Sequence, residues 1–286
     1  MPFKINNSRL SALPQKAFAL TLFALLTIAC PAQSLHYPIA AGYTGMGAYS
    51  KNFVDVLSIN SNQAVLAALQ SISVAVYTEK RFLLKELNLY HFAFCLPLQF
   101  GGFGISTKYF GYSEYNETEL GLAYGKNLGK VDIGVQFSYH ALRINGYGKD
   151  ALFNIEVGAI LHISEQLRAG LHTFNPTRSR LGKNNLEKLP SLYRVGMGYE
   201  ASEKLFISAE ILKEEDKPVN INAGLQYVFA KRISARLGLY TETTNFYFGV
   251  GLKWNVFRFD ITGSYHPQLG MTPGLMIVFK KNVPEE

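Results

Sequence analysis

The feature that most constrains this chain is an alternation of apolar and polar residues that recurs from residue 70 almost to the C-terminus. In Val131–His140 every odd position is apolar or aromatic, while the even positions are Asp132, Gly134, Gln136, Ser138 and His140. Val219–Phe229 repeats this against Asn220, Asn222, Gly224 and Gln226, and Phe257–Tyr265 against Arg258, Asp260, Thr262 and Ser264. A period of two means strands with one apolar and one polar face. Fourteen such segments begin near residues 70, 86, 101, 117, 130, 151, 165, 191, 203, 218, 232, 244, 256 and 271. Most are 9 to 13 residues long, and a tilted membrane-crossing strand needs about 9 to 11.

The connections add a rhythm. Those after even-numbered strands are tight, as at Asn127-Leu128-Gly129, Ser164-Glu165, Ser202-Glu203, Ala230-Lys231 and Asn255. Those after odd-numbered strands are mostly longer and more polar, the longest being Phe174 to Leu189. An even strand count with short turns on one side and longer loops on the other describes an outer-membrane barrel. A soluble sandwich or propeller also alternates, but it does not call for fourteen long strands with one nearly charge-free face. The expected fold is all-β: a 14-stranded antiparallel transmembrane β-barrel. Its even count places both termini on one side, the periplasmic one.

Composition agrees. Of the 286 residues 48% are hydrophobic and 17% charged, against a soluble average of about 25% charged. The net charge of +7 suggests nucleic acid only superficially. Three of the 28 basic residues (Lys4, Arg9, Lys16) precede residue 33 and no acidic one does, leaving 25 basic against 21 acidic. With no basic stripe interleaved with aromatics, nucleic acid is not an expected partner.

Residues 1–32 read as a signal peptide. A polar, basic start precedes the short apolar run Ala17–Ala29 and the small-residue site Cys30-Pro31-Ala32. That run is too short to span a membrane, and the order of the three regions is that of an export signal. The expected cut follows Ala32. Lipidation at Cys30 and an uncleaved anchor are the alternatives. If Cys30 is removed, Cys95 is left without a disulfide partner and reads as an apolar filler in a strand.

Residues 33–69 differ in character. They contain Ala41-Gly42-Tyr43-Thr44-Gly45-Met46-Gly47, then Asp55, then Ser61-Asn62-Gln63-Ala64-Val65-Leu66. A Gly-Met-Gly, a following Asp and an Asn-Pro-Ala-x-Leu before the first strand mark the FadL-like fatty-acid-transporter barrels, and in particular the PorV/PorQ-type barrels of Bacteroidetes. The sequence resembles that group at Gly45, Met46, Gly47, Asp55 and Asn62, with Gln63 where Pro is usual. Arg81–Leu87, Tyr109–Tyr112 and Phe174-Asn175-Pro176 extend the resemblance over the mature chain. It implies that residues 33–69 fold into a fourteen-stranded barrel as a hatch or plug. A barrel of this size leaves room for one, and Gly permits close packing on the wall. A disordered periplasmic tail is the alternative. Residues 70–280 are then the barrel and 281–286 a tail. Gly274, Ile277 and Phe279 resemble the Gly-x-x-apolar-x-aromatic assembly signal, which implies the barrel assembly machinery as a partner beside outer-membrane lipid.

No catalytic set emerges. No two histidines stand at metal-ligand spacing, and no Gly-x-Ser-x-Gly elbow or phosphate loop is present. The chain is therefore expected to be no enzyme and to need no cofactor. Asp132, Glu156, Arg168, Arg194, Glu210, Arg232, Arg236, Lys253, Arg258 and Asp260 fall on polar strand faces and are expected to line the lumen. They either brace barrel and hatch or select a passing ligand. The resemblance implies two functions: an accessory or partner-binding component of type IX (Por) secretion, with secretion subunits as partners, or a FadL-like transporter of hydrophobic or small solutes. The modest outer loops tilt the expectation to the first.

Overall fold

A computed structural model describes residues 41–181, 187–215, 217–241 and 245–282. The expected signal peptide with its cut at Ala32 or Cys30, the first residues of the hatch and the end of the tail lie outside the described residues.

Fourteen strands close into one antiparallel barrel in which each pairs with its sequence neighbour and the last pairs with the first. In chain order they are β1 (Ser71–Lys80), β2 (Asn88–Leu98), β3 (Gly101–Gly111), β4 (Tyr115–Asn127), β5 (Val131–Ile144), β6 (Gly148–His162) and β7 (Leu167–Phe174). A small two-stranded sheet follows, β8 (Arg180–Leu181) with β9 (Glu187–Lys188). The barrel resumes with β10 (Leu192–Glu200), β11 (Leu205–Glu214), β12 (Asn220–Ala230), β13 (Ile233–Tyr240), β14 (Asn245–Trp254), β15 (Phe257–His266) and β16 (Gly270–Asn282). Closure runs from Ser71↔Asn282 to Glu79↔Gly274, so β16 extends past the expected barrel boundary at residue 280. Closing the sheet leaves no unpaired edge, the condition a sheet must meet in lipid.

The alternation sets the faces. Along β5 the even positions from Asp132 to His140 are buried, while Ile133, Phe137 and Tyr139 lie exposed on the outside. The same outward band carries Leu122, Phe153, Leu171, Val195, Phe248 and Ile261. So large an exposed apolar surface is stable against hydrocarbon, not water.

The loop rhythm is weaker than the sequence suggests. Connections 112–114, 145–147 and 267–269 are as short as the even-side turns at 128–130 and 201–204. The polar ends of the strands continue the ladder, as Ile144↔Gly148 does above Tyr147. Backbone pairing in water does not need the apolar alternation that the count of strands was read from. The longest connection does stand out. Its base turns inward at Asn175, whose Nδ2 donates to the Leu189 carbonyl (2.6 Å), and Leu152, Phe174, Leu189 and Leu192 pack there as a small apolar cluster.

Residues 41–69 lie inside the barrel. A helical turn (Ala41–Gly45) and three 3-10 turns (Met46–Tyr49, Val56–Asn60, Gln63–Ala67) bury Tyr43, Met46, Tyr49, Val56, Leu57, Ile59, Val65 and Leu66 against inward residues such as Tyr77, Leu89, Cys95 and Val278. The apolar side chains of these residues have a wall to pack on. The wall itself is less uniformly polar than the alternation implies: Ala75, Ala93, Cys95 and Phe110 face inward opposite the plug.

Candidate functional site: the hatch and its clamps

The backbone hydrogen bonds of residues 41–69 close within the segment, as Ser58 N to the Asp55 carbonyl and Ala68 N to the Val65 carbonyl do. The wall is reached through side chains, in three groups.

The first group is ionic. Asp55 caps the turn Val56–Asn60 by accepting from Leu57 N at 3.0 Å. Its other oxygen lies 2.7 Å from Arg258 Nη2 and 3.5 Å from Arg236 Nη2. Arg258 also holds Asp260 at 3.0 Å. Arg236 donates to Gln226 Oε1 (2.7 Å) and to the Tyr43 carbonyl (3.0 Å), with its guanidinium over the Tyr43 ring. Burial pushes the Asp55 carboxyl up, but Arg258, Arg236 and Lys280 outweigh it and hold it below the ordinary range. A buried charge is tolerated only when paired in this way.

The second group is built on two side-chain amides of the plug. Asn62 Oδ1 caps Ala64 N at 3.0 Å, and its Nδ2 donates to the carbonyls of Ala159 (3.1 Å) and Leu171 (3.0 Å) on β6 and β7. Gln63, where the resembled family has Pro, donates to Glu156 Oε2 at 2.7 Å. Glu156 also accepts from Gln136 (2.8 Å) and Ser138 (3.2 Å), with His172 Nε2 3.3 Å away. Two wall glycines make this docking possible. A Cβ on Gly134 would strike the Gln63–Ala64 backbone, and one on Gly158 would strike Asn62 Oδ1.

The third group sits at the end of the barrel that carries the turns 163–166 and 201–204. Glu200 accepts from Ser50 Oγ (2.7 Å), Lys51 N (2.6 Å) and Asn52 N (2.9 Å), and Arg168 Nη1 donates to the Ser50 carbonyl at 3.0 Å.

The ten charged positions singled out from the sequence thus separate. Asp55's partners are Arg236 and Arg258, and Asp260 lies beside them. Glu156 and Arg168 touch the hatch directly. Glu210 accepts from Tyr49 at 3.4 Å and lies 3.6 Å from Arg194. Asp132 meets His162 at 2.7 Å. Arg232 and Lys253 line a recess at the end of the barrel where β1 begins and β16 ends. Met46 is buried between Gly45 and Gly47, and a Cβ on either glycine would collide with Ser61 or with the Phe53 carbonyl. Gly274, Ile277 and Phe279 lie on the closing strand, with Phe279 opposite Val74 and Phe257. Sequence reasoning passed over Glu200 and the buried pairs Glu79–Arg81 (2.9 Å) and Lys108–Glu119 (3.0 Å). Strand parity held a signal for them, since Lys108 shares a face with Ser106 and Glu119 with Gly121. Among the described residues no group of three His, Cys, Asp or Glu stands where it would hold a metal.

No protein-family model and no curated protein sequence matches the chain. Solved structures do match. The CymD monoaromatic hydrocarbon channel superposes with a TM-score of 0.61 at 10% identity, over 84% of this chain and 96% of that one. The chain has the fold of these channels. The Ralstonia pickettii toluene transporter TbuX gives 0.56 at 11% identity, covering 81% of this chain and 94% of its own. A Pseudomonas aeruginosa FadL homologue gives 0.53 at 11%, covering 84% and 96%. The resemblance to FadL-like barrels therefore stands at the level of fold, and none of these structures singles out the PorV/PorQ group.

Proposed function

We propose that this chain is a FadL-like outer-membrane transporter of hydrophobic or small solutes, with residues 41–69 as its hatch and both termini at the periplasmic end. One observation carries the reading: the plug is bound to the wall by side-chain clamps and not by shared backbone ladders. Side-chain contacts can be released without breaking any strand ladder, so the plug can shift without opening the barrel. The structures that share the fold are a monoaromatic hydrocarbon channel and a toluene transporter by their own descriptions, which favours transport over the secretion-linked reading. That second reading rests on the motif resemblance alone. The assembly machinery and outer-membrane lipid remain the partners proposed for the barrel itself, and no enzymatic activity is proposed.

The test is toluene uptake into proteoliposomes carrying the full chain, together with single-channel conductance. Uptake above that of protein-free liposomes is expected. Uptake equal to the blank, with stable capture of secretion subunits, would overturn the transport reading.

A further inference from the structure

The outward face of the β5–β6 hairpin changes character in steps. From the middle of the barrel towards the hairpin tip, its cross-strand pairs are Val135↔Val157, Phe137↔Ile155, Tyr139↔Phe153, Ala141↔Ala151 and Arg143↔Lys149. The Tyr139 and Phe153 rings lie 5.2 Å apart, and Phe153 is 74% exposed. Arg143 and Lys149 are both exposed. Like charges directly opposite on one face of a sheet destabilise it. The barrel ladder holds a second opposed pair, Lys253↔Arg258, but there Arg258 is held by Asp55 and Asp260. Among the described residues, Arg143 and Lys149 enter no ion pair. Asp150 and Glu114 bond elsewhere: Asp150 accepts from Ala151 N at 2.9 Å, and Glu114 accepts from Ser113 and Asn145.

A row that is apolar, then aromatic, then small, then doubly cationic follows the cross-section of one membrane leaflet. Exposed aromatic rings mark the interface of an outer-membrane barrel. Long Arg and Lys stems let their charged heads rest among headgroups. Four residues, about 13 Å of strand, separate the aromatic pair from the cationic one, and the two alanines leave a shallow notch between them. An anion seated at the cations removes their repulsion. A phosphate monoester fits best, because it carries close to two negative charges and accepts from Arg in bidentate fashion. A phosphodiester lipid offers one charge.

We propose that this face binds a phosphorylated glycolipid of the outer leaflet. Its phosphate monoester lies between Arg143 and Lys149, its sugar over Ala141 and Ala151, and an acyl chain along Phe153 and Phe137. The placement in the outer leaflet rests on the orientation proposed above, with both termini periplasmic.

The test is native mass spectrometry of the full chain in detergent, titrated with diphosphorylated lipid A, dephosphorylated lipid A, phosphatidylglycerol and inorganic phosphate. Diphosphorylated lipid A is expected to bind about tenfold more tightly than the dephosphorylated form, the weight of one charge-assisted contact. Arg143→Gln/Lys149→Gln is expected to lose that tenfold and to bind dephosphorylated lipid A as the parent does. Lys126→Gln/Lys130→Gln, exposed at the opposite end of the barrel, is expected to keep the parent's affinity. Heat-modifiable gel mobility checks that each variant folds, and Lys149→Gln alone, with a smaller loss in the same direction, serves if the double variant does not. Equal affinity for the two forms of lipid A, unchanged affinity in the hairpin variant, or an equal loss in the opposite-end variant overturns the site. Phosphatidylglycerol bound as tightly as lipid A overturns the monoester preference. Inorganic phosphate displacing lipid A at equal concentration overturns the lipid and leaves an anion site only. Whole-cell labelling of Tyr147→Cys, at the hairpin tip, with a membrane-impermeant maleimide reads the orientation separately. Labelling without lipid A binding strikes the site and leaves the orientation standing. Binding without labelling strikes the outer leaflet as its place.

Discussion

Asp55 and Arg258 lie 203 residues apart in sequence, yet their side chains meet at 2.7 Å inside the barrel. The pair joins the plug to β15, and Arg236 brings β13 to the same carboxylate. Asp55→Asn keeps the shape and removes the charge, leaving both guanidiniums short of an anion. Breaking a buried pair from one side costs about 3–5 kcal/mol. The expected result is faster hydrogen exchange across residues 55–66 and higher conductance. Heat-modifiable gel mobility should stay that of the parent, because the barrel ladder is untouched.

The same carboxylate sets a pH dependence. Its pKa in the docked hatch is depressed below the ordinary 3.8 because Arg258, Arg236 and Lys280 outweigh burial. A depressed acid contributes stability that is present above its ordinary value and is lost as pH falls through the docked value. The hatch should therefore stay docked from pH 7 to pH 5 and loosen only as the pH falls through the lowered value of Asp55. Conductance measured at pH 6 and pH 3 checks this. A step of the same size in Asp55→Asn would assign it to other carboxylates.

Gly158→Ala is expected to expel the segment around Asn62, since the added methyl meets Asn62 Oδ1 on one side and the strand backbone fixes it on the other. Limited proteolysis should then cut near residues 62–66 in the folded barrel. Gly129→Ala, in an exposed turn with open space around it, should remain as resistant as the parent despite its local backbone strain.

Asn62→Ala removes one cap and two donated hydrogen bonds. At about 1 kcal/mol for each neutral bond and a similar amount for the cap, the cost of local hatch opening should fall by roughly 2–3 kcal/mol. Native-state exchange at Ala64 and Val65 measures it. A loss confined to the strands would contradict the assignment.

Phe137, on the outer face of β5, is more than half exposed. If that face meets lipid, Phe137→Arg near the bilayer centre costs about 2–4 kcal/mol. Urea titration in lipid vesicles reads the change. A neutral result would place the face in water.

Much of the barrel was legible from the residues because strand alternation is a local property. The segment expected from residue 101 begins at Gly101, and that expected near 130 begins at Val131. The strand expected near 151 begins at Gly148, where polar residues pair without any apolar signal. Parity likewise placed Asp132, Glu156 and Asp260 on the inner face, while the same parity at Lys108 and Glu119 went unused. The clamp at Asp55 was legible only as a motif position. Nothing local to Asp55, Arg236 or Arg258 says that they share one site.

By itself, the sequence determined how many strands the barrel has and which face of each carries the apolar residues, because period-two patterning acts between neighbours along the chain. Only the tertiary structure decided which charges brace the wall, which hold the plug, and which are left facing a recess. Those outcomes depend on closure. Pairing Ser71 with Asn282 brings side chains from opposite ends of the chain around one lumen, and partners separated by more than a hundred residues leave no period to read. Closure also explains why wall glycines such as Gly134 and Gly158 matter: a missing Cβ gains meaning only when another segment must lie against it.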